Sequence, residues 1–239
     1  MKKLGIIQPG KIGDIIICLP IAKWYYDRGY EIIWPIDKTI INNFVDYVDY
    51  VKFIPIEFNC QVAHQVCFDN NCNMIIDLAF TIPMANNYNS QNYLAQDQYT
   101  FDEFKYFIAN VPFEEKWNLQ IKRIIEREDK LKEFLYINDP YVIVQEKASD
   151  YVRKVEWTND DVRRVDITKA GKSVFDWIGV LEKSEQLILI ESCFSNLVDQ
   201  LGIQVPKHTL LLKNGYYSDE LKNGRLRGEP VLRLNWNRI

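Results

Sequence analysis

Apolar positions fall in short runs between polar breaks, and the pattern switches along the chain between strand alternation and helical spacing. Residues 4–7 are apolar apart from Gly5, as in a strand buried on both faces, and Pro9 and Gly10 end that run. Helical spacing follows over 15–28, with Pro20 as a kink and Gly29 as a stop. A strand is predicted over 31–36, a helix over 39–48, and further strands over 50–56 and 74–80. This β-α alternation predicts a parallel sheet with right-handed crossovers.

Segment 86–97, rich in Asn, Gln, Ser and Tyr, shows no period and is expected to form a loop. Amphipathic helices are predicted over 101–109 and 119–135. The second places Ile121, Ile124, Ile125, Leu131, Phe134 and Leu135 on one side, with Glu126/Lys130 and Glu128/Lys132 as exposed pairs. After Asn138-Asp139-Pro140 a second series begins: strand 141–145, strand 164–167, helix 173–183, strand 186–190, helix 192–201 and strand 209–213. The class is therefore α/β in two halves, an N-terminal domain over 1–112 and a C-terminal domain over 141–239, joined by a helical linker over 113–140.

Composition narrows the function. A chain of 239 residues, 47% hydrophobic and 26% charged, is an ordinary globular protein of one or two domains. Lys2 and Lys3 ahead of an apolar stretch mimic a secretory leader, but Lys11 and Asp14 interrupt it and no small-residue cleavage site follows, so a cytoplasmic protein is expected. Five cysteines, an odd number, suit a reducing compartment. The net charge of -4 argues against a general nucleic-acid binder. Residues 204–239 carry seven basic against three acidic side chains, either a solvated surface or a face for an anionic ligand, with peripheral membrane contact at most.

The loop after the first strand is the first candidate for chemistry. Gly5-Ile6-Ile7-Gln8-Pro9-Gly10-Lys11 fits the spacing of a P-loop, yet Ile12 stands where Mg²⁺ needs a hydroxyl, and Gly5 lies inside the strand. Gly10-Lys11-Ile12-Gly13 lacks the dinucleotide fingerprint. Cys60, His64, Cys67 and Cys72 offer four zinc-type ligands, but their spacing fits no common finger, and Val62, Val66 and Phe68 between them point to a helix with buried cysteines. Asp14 suits the positive end of a helix as well as it suits catalysis, and Arg153 and Lys154 read equally as surface charges. Glu191 with Ser192 has the look of a strand end and an N-cap.

Three segments carry a resemblance. Gly13-Asp14-Ile15-Ile16-Ile17-Cys18-Leu19-Pro20, the stretch 149–157 with Ser149, Arg153, Lys154 and Trp157, and Glu191-Ser192-Cys193-Phe194-Ser195-Asn196-Leu197 resemble, in order, motifs of the heptosyltransferase-like GT-B glycosyltransferases. The resemblance implies two Rossmann-like domains facing each other across a cleft, with parallel sheets flanked by helices. It further implies a nucleotide-diphosphate sugar as donor, a glycan, lipid-linked or other hydroxyl acceptor, and inverting transfer with no cofactor and no metal. Asp14 would be the general base, with Gly10, Lys11 and Gly13 forming the acceptor-side loop. Lys154 and Arg153 would neutralise the departing diphosphate, Ser149, Ser192 and Cys193 would hydrogen-bond it, and Glu191 would hold donor hydroxyls. Cys193 stands where the family has Gly and Asn196 where it has His. Those departures keep open a second function, a binding scaffold on the same fold that has lost turnover; a P-loop kinase or NTPase is the third.

Overall fold

The computed structural model describes residues 2–78, 99–137, 140–149, 151–157, 161–168, 170–213, 218–222, 225–227 and 231–239. The chain divides into two compact units, Met1–Ile121 with Tyr217–Val231, and Lys122–Tyr216 with Leu232–Ile239. The expected linker 113–140 is thus shared between the units, and 217–231 groups with the first. The loop expected over 86–97 and the end of the strand expected over 74–80 lie outside the described residues.

In the first unit, strands β1 (Lys2–Ile7), β2 (Tyr30–Asp37), β3 (Val51–Ile56) and β4 (Met74–Asp77) form a parallel sheet in the order β3-β2-β1-β4. Helix α1 (Ile12–Tyr26) is buried without a break from Ile15 to Ala22. Its isoleucines are mediocre helix formers, so burial on all sides, not propensity, makes this segment helical. It starts three residues earlier than its apolar pattern indicates, because the partly exposed turn Ile12-Gly13-Asp14 precedes the buried run. Pro20 sits inside it and has no N–H to give the preceding turn, where the Tyr106 hydroxyl donates to the Ile17 carbonyl at 2.8 Å.

The helix expected over 39–48 is a single 3₁₀ turn, Ile41–Asn43, within a run of turns. Its anchors Phe44, Tyr47 and Val48 are buried all the same, so the spacing reported burial correctly while too short a segment failed to sustain a helix. Helix α2 (Cys60–Asp69) ends with Asn71 at φ +57°, its N–H donating to the Phe68 carbonyl and that of Cys72 to the Cys67 carbonyl. A Cβ on Gly5 would lie 2.6 Å from Cys67 Sγ. Gly5 is therefore a packing glycine that lets α2 close onto β1, unrelated to a phosphate loop. Helix α3 (Phe101–Ala109) has the bounds its pattern predicts.

In the second unit, α4 (Ile125–Phe134) is shorter than the helix expected over 119–135, and its apolar side is not uniformly buried. Leu131 is buried, but Ile125 and Phe134 are exposed. Glu126 and Lys130 pair at 2.6 Å as expected, whereas Glu128 turns inward to accept from Arg123 Nε at 2.9 Å. Gly179 makes that possible, since a Cβ there would meet Glu128 Oε2 at 2.6 Å. Strands β5 (Tyr141–Gln145), β6 (Arg163–Asp166), β7 (Gln186–Ile190) and β8 (Lys207–Leu211) are parallel. A 3₁₀ turn, Val174–Trp177, leads into α5 (Ile178–Glu182), and α6 (Cys193–Leu201) follows β7. The chain then forms an antiparallel pair, β9 (Ser218–Lys222) with β10 (Arg225–Arg227), and ends in β11 (Asn237–Arg238), giving the second sheet the order β11-β8-β7-β5-β6. Buried Asp199 fixes the return by accepting from the backbone N–H groups of Arg233 and Leu234 and from Trp236 Nε1. Among the described residues no helix is long and apolar enough to cross a membrane.

One ion pair holds the 217–231 segment to the first unit. Asp102 and Lys116, 1% and 0% exposed, meet at 2.6 Å; Asp102 also accepts from Thr100 Oγ1 and the Val231 N–H, while Lys116 donates to the Val231 carbonyl. Removing one partner strands a buried charge, so Lys116→Met is expected to cost about 3–5 kcal/mol in urea unfolding. A loss below about 1 kcal/mol would show that the pair behaves like a surface ion pair.

Candidate active site

In doubly wound sheets, ligands bind beyond the carboxyl ends of the strands at the point where strand order reverses. In the first sheet that point lies between β1 and β4; in the second it lies between β5 and β7. Both coincide with loops singled out by the sequence.

At the first, β1 runs into Gln8, Pro9 and Gly10, and α1 opens with Lys11 as its N-cap. The Lys11 N–H donates to Asp14 Oδ2 at 2.8 Å, so the half-buried carboxylate closes the first helical turn. Gly10 has φ +132°, and a Cβ on it would lie 2.4 Å from the same oxygen. Only glycine leaves room there for the carboxylate. Gly13 is half-buried in the first turn of α1, and the side chain of Lys11 is exposed. One loop thus brings Gly10, Lys11, Gly13 and Asp14 together.

The same edge gathers further residues, of which Lys105 had no role in the sequence reading. Asp77, in register with Ile7, ends β4 and meets His64 Nε2 at 2.9 Å. Lys105 is buried on α3 and donates to the Leu78 carbonyl, and the Leu78 N–H donates to the Ile7 carbonyl at 2.7 Å. Cys18 lies one turn beyond Asp14 and contacts Gln8 Oε1 at 3.8 Å. Burial pushes the Cys18 thiol up to about 12, with Lys105 opposing the rise and Asp14 and Asp102 adding to it, which excludes a thiolate nucleophile at neutral pH. Burial also lowers the Lys105 ammonium from the usual lysine range, while Cys18, Asp14 and Asp77 draw it back up. A signal for Lys105 was present. Asp102, Lys105, Tyr106 and Ala109 form one stripe at helical spacing, a core face with two charges in it.

At the second point, Ser192 caps α6. Its Oγ accepts from the Phe194 N–H at 3.2 Å and donates to Gln145 Oε1 at 2.7 Å, joining the ends of β7 and β5. Ser195 Oγ accepts from the Ser192 N–H at 2.9 Å, so neutral serines complete this capping box. Glu191 is buried at the end of β7, and Cys193 is half-buried at the first helical position. Asn196 donates from Nδ2 to the Ser192 carbonyl at 3.1 Å, and its buried Oδ1 has no hydrogen-bond partner among the described residues.

The other donor-side candidates separate. Ser149 is exposed beyond β5. Arg153 donates to the carbonyls of Leu212 and Ile239, at 3.0 and 2.7 Å, and so ties the loop to the β8/β11 edge. Lys154, with its side chain 81% exposed, reaches Glu146 Oε2 at 2.9 Å. Glu146, missed in the sequence, organises this loop by also accepting from the Val155 N–H and Arg164. Burial raises the Glu146 carboxyl, but the Val155 N–H, Lys154 and Arg164 prevail and hold it below the usual carboxylate range.

Cys67 and Cys72 both lie against Gly5 of β1, Cys60 is half-buried, and His64 pairs with Asp77. Val62 and Phe68 form the exposed side of α2. Among the described residues no group of three or more His, Cys, Asp or Glu side chains is arranged to hold a metal ion.

No family model matches this sequence, and no curated protein matches it. Among solved structures the chain is similar to the glycosyl transferase family 9 protein from Veillonella parvula, with a TM-score of 0.54 and 11% identity over 88% of this chain and 80% of that one. At that identity the likeness is one of fold. It agrees with the α/β class, parallel sheets flanked by helices, that the sequence predicts, and the fold is similar to that of the family 9 glycosyl transferase.

The close approach of Gly10 to Asp14 gives a direct test of the first loop. Gly10→Ala forces a methyl group onto the carboxylate at a left-handed φ and is expected to destabilise the protein by about 1–3 kcal/mol. In an Asp14→Ala background the same change should cost less, because the clash is partly relieved; strictly additive losses in denaturant unfolding would deny the contact.

Proposed function

We propose that this chain is a glycosyltransferase that moves a sugar from a nucleotide-diphosphate sugar to a hydroxyl of a glycan, lipid-linked or other acceptor. The observation that carries the reading is the contrast between two helix N-termini on one fold type. The first turn of α1 holds the carboxylate of Asp14, whereas that of α6 has no acidic residue and is capped by Ser192 and Ser195. A helix N-terminus that keeps its positive end favours a phosphate group; one already carrying a carboxylate favours a neutral hydroxyl that the carboxylate can deprotonate. The diphosphate therefore belongs with the second unit and the acceptor hydroxyl with the first.

In this reading Asp14 takes the acceptor proton as the oxygen attacks the anomeric carbon, and the configuration inverts. Gly10 and Gly13 keep backbone bulk away from that hydroxyl. Lys154 swings from its exposed pairing with Glu146 to the departing diphosphate, a small loss because such pairs contribute only ~0–1 kcal/mol. Ser192 and the N–H groups behind it bind the same phosphates, and Glu191 holds donor hydroxyls. The reading assigns no metal to the reaction, so transfer should withstand a chelator. A cytoplasmic setting suits five free thiols. Cys193 and the uncommitted Asn196 oxygen favour, as the second reading, a sugar- or partner-binding scaffold without turnover. A P-loop enzyme fits less well, since Asp14 fills the space beneath Gly10 where a phosphate would approach.

A panel of nucleotide sugars, screened first by thermal stabilisation with nucleoside diphosphates and then for transfer, tests the proposal. Asp14→Asn should lower kcat by about 10²–10⁴-fold while leaving nucleotide-diphosphate affinity in calorimetry unchanged. Lys154→Ala should do the reverse first, weakening that affinity by about tenfold. Absence of binding to every diphosphate would refute the proposal. Binding without diphosphate release, whatever the acceptor, would favour the scaffold.

A further inference from the structure

We propose that Lys105 is a positioning residue acting through Asp14, a buried cation at the β1/β4 reversal point whose field lowers the proton affinity of the Asp14 carboxylate. The proposal rests on the base role given to Asp14 above.

Lysine is almost never fully buried without a reason, because its ammonium loses hydration. Lys105 is 3% exposed. Its neighbour on the α3 stripe, Asp102, is already neutralised by Lys116 at 2.6 Å, so that carboxylate does not explain the second cation. The ammonium of Lys105 donates to the Leu78 carbonyl, and Leu78 is bonded to Ile7, so the charge stands at the carboxyl end of β1 where the chain turns toward Asp14. Tyr106, the next residue, bonds the Ile17 carbonyl and locks α3 against α1. The Phe101 ring, 4.8 Å from the ammonium, covers it further. Charge at this spot acts through protein and not through water, which strengthens its effect on a nearby carboxylate.

Among the described residues, the other titratable groups around the pair, besides Tyr106 on α3, are these. Helix α1 presents Lys11, which is exposed, and Cys18; β4 presents Asp77, with His64 and Cys60 of α2 beside it. Helix α3 and the following 3₁₀ turn bring Asp102, Lys116 and Glu115. Lys105 and Lys116 are the buried cations of this set, and Lys116 is committed to Asp102. Asp14 and Asp77 therefore share the field of Lys105. A base held too acidic would accept a proton poorly, and the sharing moderates that effect.

The coupling can be measured without any substrate. In protein labelled with ¹³C at aspartate Cγ, the resonance missing from Asp14→Asn assigns Asp14, and its titration is followed by NMR. Lys105→Met should raise the Asp14 midpoint by about one pH unit, roughly tenfold in proton affinity, and Lys105→Arg should restore it. An unchanged midpoint in Lys105→Met overturns the proposal, as does an equal rise in Lys105→Arg. If Lys105→Met does not fold, the reciprocal experiment decides: the Lys105 Cε titration should move to lower pH in Asp14→Asn than in the wild type, and no movement overturns the proposal. Neither experiment uses a donor or acceptor. A wild-type protein without transfer would refute the glycosyltransferase reading and leave the coupling standing.

Discussion

Parallel pairing sends the carboxyl ends of neighbouring strands to one edge of a sheet, and the polar groups of this protein are arranged by that constraint. In the first unit β1 pairs with β2 on one side and β4 on the other, so the chain beyond β1 and the end of β4 emerge side by side. Asp14, Asp77, His64 and Lys105 come from three helices and a strand scattered over ninety positions, and they reach the same edge because the β1/β4 register places Ile7 opposite Asp77. The second unit repeats the arrangement, with Ser192 Oγ bridging to Gln145. Central strands such as β5 and β7, apolar and buried, leave such groups to the strand ends, while the edge strands β3 and β6 carry charged residues of their own.

This constraint explains what could be read in advance. Continuous apolar runs such as 141–145 and 186–190 gave strands with the predicted bounds, because buried parallel strands tolerate nothing else. The Asp14 loop was legible for the same reason: glycine, proline and a carboxylate crowd the point where a buried strand must end. Less legible was the region around α4. Ile125 and Phe134 looked like core, but Glu128 points inward to Arg123 and is fitted under Gly179, fifty residues away. Periodicity carries no information about a partner so distant. Arg153 is a further case of a distant partner: its guanidinium meets the backbone carbonyls of Leu212 and Ile239, near the far end of the chain, which no local pattern announces.

Local sequence left two uses for Asp14, closing a helix or carrying a proton, and the geometry removes the conflict between them. One oxygen accepts from the Lys11 N–H and sits beneath Gly10, which fixes the carboxylate against rotation. A base needs that fixity, because proton transfer is efficient only when the acceptor oxygen is held in reach of the hydroxyl. In the proposed reaction the helix cap would serve as the mounting of the base. The serine box of α6 uses the same backbone device without the charge, with Ser192 and Ser195 where α1 has Lys11 and Asp14, and on the proposed reading that difference would divide an acceptor site from an anion site.

The buried charges of the first unit invite the same scrutiny. A buried ion pair seldom outperforms apolar residues of equal volume, so Asp102 and Lys116 are best understood through what their extra bonds specify: Thr100 on one side and both backbone groups of Val231 on the other. They set where Val231 docks. Among the described residues Lys105 specifies nothing comparable, since its hydrogen bond goes to the carbonyl of Leu78, at the end of a strand already held by the β1 ladder. A methionine would fill its volume and avoid the loss of hydration. What methionine could not supply is a positive field at the end of β1, and the carboxylate placed to use that field is Asp14.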